Sequence, residues 1–99
     1  MPRGYMGAQI PLNVILSKTE HVLETEIEGL SVLLSAKTGN YIEFNEASSA
    51  IWSLIDNKKT VSEIIRELVS KFEVEKSRCE VDVRNFIPRL LDEDLIKIL

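Results

Sequence analysis

The sequence predicts an α+β domain of the winged helix-turn-helix type, in which a three-stranded antiparallel sheet precedes three helices. Three observations predict this fold. Residues 21–44 alternate between apolar and polar side chains and are divided by two short turns, which is the pattern of a meander. Residues 46–91 instead repeat apolar side chains at helical spacing. Two of the helices, 60–72 and 78–91, are joined by a short turn, as in a helix-turn-helix.

Length and composition predict one domain. The chain has 99 residues, of which 44% are hydrophobic and 28% charged, with a net charge of -4. We expect residues 1–12 to form a flexible N-terminal arm, either partly foreign to the domain or partly docked on it, and residues 13–99 to form the folded domain. A single cysteine, Cys79, cannot form an internal disulfide. With no run of apolar residues long enough for a signal peptide or a membrane span, we expect a cytoplasmic location.

The predicted strands are residues 21–27, 30–36 and 40–44, separated by turns at Glu28-Gly29 and at Gly39. In a meander of this order the third strand lies at an edge of the sheet. Its sequence contains no proline or lysine that would block pairing with another chain. The short apolar run at 14–16 is either an extra edge strand or a patch that anchors the arm.

Capping residues predict where the helices begin. Asn45 is a favoured N-cap for a first helix over 46–55. Thr60 with Glu63, and Ser77 with Glu80, have the spacing of capping boxes for the second and third helices. Pro88 lies within the third helix, where we expect it to cause a bend rather than an end. The last five residues, 95–99, predict an extended tail that returns to the core.

An ordered set of short motifs resembles the PqqD family across residues 21–99. The motifs are Thr38-Gly39-x-Tyr41, Asn45-Glu46 followed by Ile51-Trp52, Thr60-Val61-x-Glu63-Ile64, and Asp82-Val83-x-x-Phe86. The resemblance implies a non-catalytic domain that needs no cofactor and binds the leader region of a ribosomally synthesised precursor peptide. Such a domain presents the peptide to a processing protease or a modifying enzyme. The resemblance favours the lasso-peptide type, and the alternative is a PqqD-type chaperone for a radical SAM enzyme in quinone-cofactor synthesis.

The resemblance also implies where the leader would bind. It would add as a strand to the third strand and lie in the groove against the third helix. The candidate peptide-binding residues are Tyr41, Ile42, Glu43 and Phe44 on the strand, and Val83, Arg84, Ile87 and Leu91 on the helix. Arg84 or Arg89 would meet an acidic residue of the peptide. The competing interpretation assigns five of the apolar residues to the core, namely Ile42, Phe44, Val83, Phe86 and Leu90.

Other functions have less support in the sequence. A DNA-binding winged helix would read the major groove with residues 78–91. Its basic residues Arg78, Arg84 and Arg89 are balanced by Glu80, Asp82 and the adjoining Asp92, and the chain is acidic. We therefore expect no nucleic-acid partner, and no membrane partner. His21 and Cys79 are too far apart in sequence to indicate a metal or nucleophilic site. Acidic residues 92–94 are expected to lie in solvent. Whether the domain forms a homodimer stays open.

Overall fold

The computed structural model describes residues 10–28, 30–55 and 58–99. These residues form five strands and three helices. In chain order the elements are β1 (Leu16–Lys18), β2 (Val22–Ile27), β3 (Leu30–Ser35), β4 (Tyr41–Glu43), α1 (Glu46–Ile55), α2 (Val61–Phe72), α3 (Lys76–Asp92) and β5 (Ile96–Ile98). The predicted α+β fold, with three antiparallel strands followed by three helices, is confirmed. Gly29, in the first predicted turn, lies outside the described residues.

The three-stranded sheet has the order β2-β3-β4, so β4 lies at an edge, as predicted. Its register places Ile42 opposite Leu33 and Tyr41 opposite Leu34. Leu33 and Ile42 are buried on the face of the sheet that packs on the helices. Tyr41 lies on the opposite face and is 61% exposed. Gly39 turns the chain into β4 with a φ of 79°, the left-handed conformation that glycine adopts without strain.

A second, two-stranded sheet joins the two ends of the domain. Strand β1 pairs antiparallel with β5, and Leu16 lies opposite Ile98. The apolar run at 14–16 therefore contributes a strand residue, and the predicted return of the C-terminal tail to the core is confirmed by the burial of Leu95 and Ile96. Ile10 is also buried and Leu12 packs on the core, so the described part of the predicted arm is docked. Residues 1–9 lie outside the described residues.

The helix starts follow the predicted caps at two of three places. The side-chain oxygen of Asn45 accepts a hydrogen bond from the Ser48 N–H at 2.8 Å. At α2 the capping box is complete, because the Glu63 N–H donates to the Thr60 hydroxyl at 3.1 Å and the Thr60 N–H donates to the Glu63 carboxylate at 2.9 Å. These bonds to Thr60 hold the pKa of Glu63 below its ordinary value.

The predicted capping box of Ser77 and Glu80 is wrong. Helix α3 begins at Lys76, so Ser77 already lies in its first turn, and the N-cap residue Glu75 makes no side-chain capping bond. The Ser77 hydroxyl instead donates to the Glu75 carboxylate. The helix continues through Pro88 to Asp92, in agreement with the prediction that proline would not end it.

The core lies between the inner face of the sheet and the three helices. Its most deeply buried members come from every layer and include Leu33, Ile55, Ile64, Val83, Ile87, Leu90 and Leu95. Cys79 is buried among them, with its sulfur 3.9 Å from the Ile65 carbonyl oxygen. Trp52 is buried at the edge of the core and donates a hydrogen bond to Glu24 at 3.0 Å. None of the described helices is long and apolar enough to cross a membrane.

Candidate functional site

The free edge of β4 is the first part of the candidate site. The Phe44 N–H donates to Ser31 and the Ser35 N–H donates to Asn40, both at 2.9 Å. Hydrogen-bonded pairs alternate along an antiparallel ladder, so Ile42 also exchanges its backbone bonds with β3. The backbone N–H and C=O groups of Tyr41 and Glu43 therefore point away from the sheet. No other strand in the described part of the chain pairs with them.

One carboxylate ties the start of β4 to the end of α3. Glu93 accepts hydrogen bonds from the Thr38 hydroxyl at 3.0 Å and from the Asn40 side-chain amide at 3.2 Å. Next to it, Asp94 lies 3.2 Å from the Lys37 ammonium and 3.6 Å from the His21 ring nitrogen. The acidic residues predicted to lie in solvent thus include two that fasten the sheet to the helix. This connection fixes the distance between the free edge and α3.

The groove between β4 and α3 is lined by polar side chains. Around its β4 end, a cavity is bounded by residues 39–42 and by Arg89, Asp92 and Glu93. A neighbouring cavity continues along α3 towards the N-terminus of that helix, where Asp82 and Asn85 face the start of α1. The two cavities share Arg89. Together they form a continuous surface, which we call the β4–α3 groove.

A helical stripe accounts for this lining. Residues 78, 82, 85, 89 and 92 follow one another at i, i+4, i+7, i+11 and i+14 and therefore share one face of α3. Arg89 was among the predicted contacts, whereas Asp82 and Asn85 were not, because the predicted contacts of α3 were mainly apolar side chains. The same spacing is visible in the sequence as a polar stripe opposite the apolar one.

Of the predicted strand residues, Tyr41 and Ile42 line the groove, whereas Phe44 lines a separate cavity beside Trp52. Tyr41 and Glu43 are exposed, whereas Ile42 is buried in the core. Phe44 is half-buried and packs edge-on against Phe86, with ring centroids 5.7 Å apart, and against Trp52 at 6.0 Å. The strand therefore presents its backbone and two exposed side chains to a partner, while Ile42 and Phe44 hold it on the core.

The predicted helix residues occupy other faces of α3. Val83 and Ile87 are 0% exposed and Leu91 is buried, so their side chains fill the core rather than the floor of the groove. Arg84 donates to the Ile10 carbonyl at 3.0 Å and lies 3.5 Å from Glu80, on the side of the docked arm. Their contact with a peptide stays a prediction. In this structure the α3 side chains that line the groove are those of the polar stripe together with Phe86.

The charges of the groove are open to a partner. Arg78 and Arg89 make no ion pair with another described residue. Asp82 and Asp92 lie on the same face of the helix, so the groove offers both signs of charge.

Burial raises the pKa of the nearby Cys79 thiol, and the carboxylates of Asp82 and Glu80 raise it further. The thiol therefore stays protonated at neutral pH, and it is poorly suited to act as a nucleophile.

Comparisons with known proteins identify a matching family and two similar structures. The family model described as "Coenzyme PQQ synthesis protein D (PqqD)" matches residues 31–96. The solved structure "TbiB1 in Complex with the TbiA(beta) Leader Peptide" is 28% identical, with a TM-score of 0.68 over 82% of this chain and 94% of that chain. A second structure, "Lasso peptide synthetase B1 complexed with the leader peptide", has the same fold, with 18% identity and a TM-score of 0.68 over 83% of this chain and 96% of that chain. No curated protein matches this sequence.

Proposed function

Because this chain belongs to the PqqD family, we propose that it binds the leader region of a ribosomally synthesised precursor peptide and presents that peptide to a processing enzyme. The chemistry is then carried out by the partner, a protease or a modifying enzyme, and this domain acts by binding. The similar structure of TbiB1 is in complex with a leader peptide, which supports leader binding by this chain. The lasso-peptide type of pathway is the one that the sequence resemblance favours.

The observation that carries the proposal is the unpaired backbone of Tyr41 and Glu43. Each of these residues presents one donor and one acceptor to solvent at an edge that natural proteins usually protect. A peptide in extended conformation satisfies these four groups by adding a fourth strand to the sheet. The backbone bonds supply affinity that is largely independent of the peptide sequence.

The β4–α3 groove then supplies selectivity. A strand added to β4 directs alternate side chains towards α3, where they meet Arg89, Asn85 and Asp82. Arg89 is the side chain best placed to pair with an acidic residue of the peptide, since it lines both cavities of the groove. Arg84 is already engaged by Ile10 and Glu80.

The sharpest test removes one free-edge donor and leaves the sheet intact. Glu43→Pro deletes an N–H that points to solvent, and proline is tolerated at such positions of edge strands. Glu43→Ala removes the side chain and keeps the N–H, so it is the matched control. Affinity is measured by fluorescence anisotropy with the TbiA(beta) leader peptide and with peptides selected on the wild-type protein from a random display library.

We expect Glu43→Pro to weaken binding at least about fivefold, because a lost backbone bond and an unpaired peptide acceptor together cost about 1–3 kcal/mol. Glu43→Ala measures the contribution of the side chain alone, and Glu43→Pro should bind at least about fivefold more weakly than Glu43→Ala. Circular dichroism and thermal melting check that both variants are folded. Wild-type affinity in a folded Glu43→Pro protein would contradict strand addition at this edge.

A further inference from the structure

An apolar cavity of about 340 Å³ lies where α1, α2 and α3 meet, beyond the N-terminal end of the β4–α3 groove. Its walls are Ala47 and Ala50 of α1, Leu68 and Phe72 of α2, Val74 of the connection and Cys79 of α3. The two alanines leave the space that larger side chains would fill. The volume falls within the range of small-ligand sites in proteins.

Two apolar side chains in the walls of this cavity are unusually exposed to solvent. Phe72 is 51% and Val74 40% exposed, although both lie beside buried Leu68 and Cys79. Single exposed apolar residues are common on protein surfaces. Here they border an apolar cavity that an additional apolar group would fill while covering both.

The cavity is continuous with the β4–α3 groove. It shares Ala47, Arg78 and Asp82 with the part of the groove that faces α1, and that part shares Arg89 with the β4 end. Arg78 and Arg89 are separated by about 16 Å along the axis of α3. An extended peptide covers this distance in about five residues.

We propose that this cavity is a second subsite for the same peptide and binds one large apolar side chain, about five residues away from the segment added to β4. The assignment rests on the proposed function, and it adds a side-chain anchor to the backbone ladder. The rim carries Glu46 and Asp82 against the single cation Arg78. A basic residue next to the apolar anchor of the peptide would therefore be favoured.

The two subsites divide the recognition between them. The free edge of β4 accepts many sequences, because it contacts the peptide backbone. The cavity discriminates by the size and polarity of a single side chain. A peptide that satisfies both is held at two points, which also fixes its register along β4.

Two exposed valines make a matched pair for the test. Val74→Asp places a charge at the wall of the cavity, whereas Val81→Asp places the same charge at a valine of α3 that is 54% exposed and outside the cavity lining. Because both side chains are exposed, we expect both variants to fold. Peptides are selected on the wild-type protein from a random display library. Their affinities are then measured on all three proteins, before and after each apolar residue of the peptide is replaced by alanine.

We expect one apolar position whose replacement weakens binding at least about tenfold on the wild type and on Val81→Asp, the loss expected when a large apolar side chain leaves a pocket. On Val74→Asp the same replacement should change the affinity by about twofold at most, since the subsite is already disrupted. Equal losses on all three proteins would overturn the assignment. The assignment would also be overturned if the selected peptides bind Glu43→Pro more weakly but contain no apolar position of this kind. In either case the proposed function would stand.

Two further outcomes would also overturn the assignment. If the wild-type protein selects no peptide, the proposed function fails and the second subsite fails with it. If light scattering shows a wild-type dimer that Val74→Asp dissociates and Val81→Asp does not, the cavity is occupied by a second copy of the chain.

Discussion

Glu93 is the residue whose role differs most from what its sequence context indicates. In a run of three acidic residues it is expected to be solvated. In the structure its two carboxylate oxygens accept bonds from Thr38 and Asn40, on the turn that leads into β4. The sequence could not reveal this contact, because the partners lie more than fifty positions away and none of them is charged.

Replacing Glu93 with alanine should loosen this turn. The bonds are exposed, so we expect the free energy of unfolding to fall by only about 1 kcal/mol. The peptide should nevertheless bind several-fold more weakly, because β4 is held less firmly beside α3. Urea denaturation and fluorescence anisotropy measure the two effects. Asp92→Ala is the control for stability alone, because Asp92 is an exposed neighbour that makes no such bond to the turn but also lines the groove. Equal effects of the two substitutions on stability would contradict the assignment to Glu93.

At the scale of elements, helix α3 illustrates which part of a site can be predicted from sequence. The period of its apolar residues correctly predicts a helix and its continuation through Pro88. The period alone does not determine whether these apolar side chains face the core or the groove. In a domain of this size nearly all the apolar surface of a helix is needed for the core. Val83 and Ile87 are accordingly buried, and the polar stripe with Asn85 is left to line the groove.

This orientation of α3 gives opposite expectations for two substitutions on the helix. Ile87→Asp should unfold or severely destabilise the domain, by about 3–5 kcal/mol, because it places a charge in the core and removes a buried side chain.

Asn85→Trp should leave the thermal midpoint nearly unchanged and should obstruct the groove, with a loss of peptide affinity of about tenfold or more.

Thermal melting and peptide titration distinguish these outcomes. A stable Ile87→Asp protein with reduced peptide affinity would show that Ile87 faces the peptide after all. An Asn85→Trp protein with full affinity would show that the peptide takes another route along the helix.

For the molecule as a whole, local patterns were sufficient to predict the order of the elements. The meander, the cap at Asn45 and the complete capping box at Thr60 are encoded within a few residues of each other, and the structure confirms them. The pairing of β1 with β5 was not predicted, since it joins strands from opposite ends of the chain. The free edge of β4 was predicted because it follows from strand order alone. The lining of the groove depends on tertiary packing, which sequence patterns do not determine.

The central claim is that a peptide adds to the sheet through Tyr41 and Glu43, and amide hydrogen exchange measured by NMR tests it most directly. Exchange rates are compared for the free protein and for the protein saturated with a peptide selected on it. We expect the amides of Tyr41 and Glu43 to slow at least about tenfold, whereas the amide of Ile42, already bonded to β3, changes little. Saturation with peptide that leaves the exchange of Tyr41 and Glu43 unchanged would contradict the account.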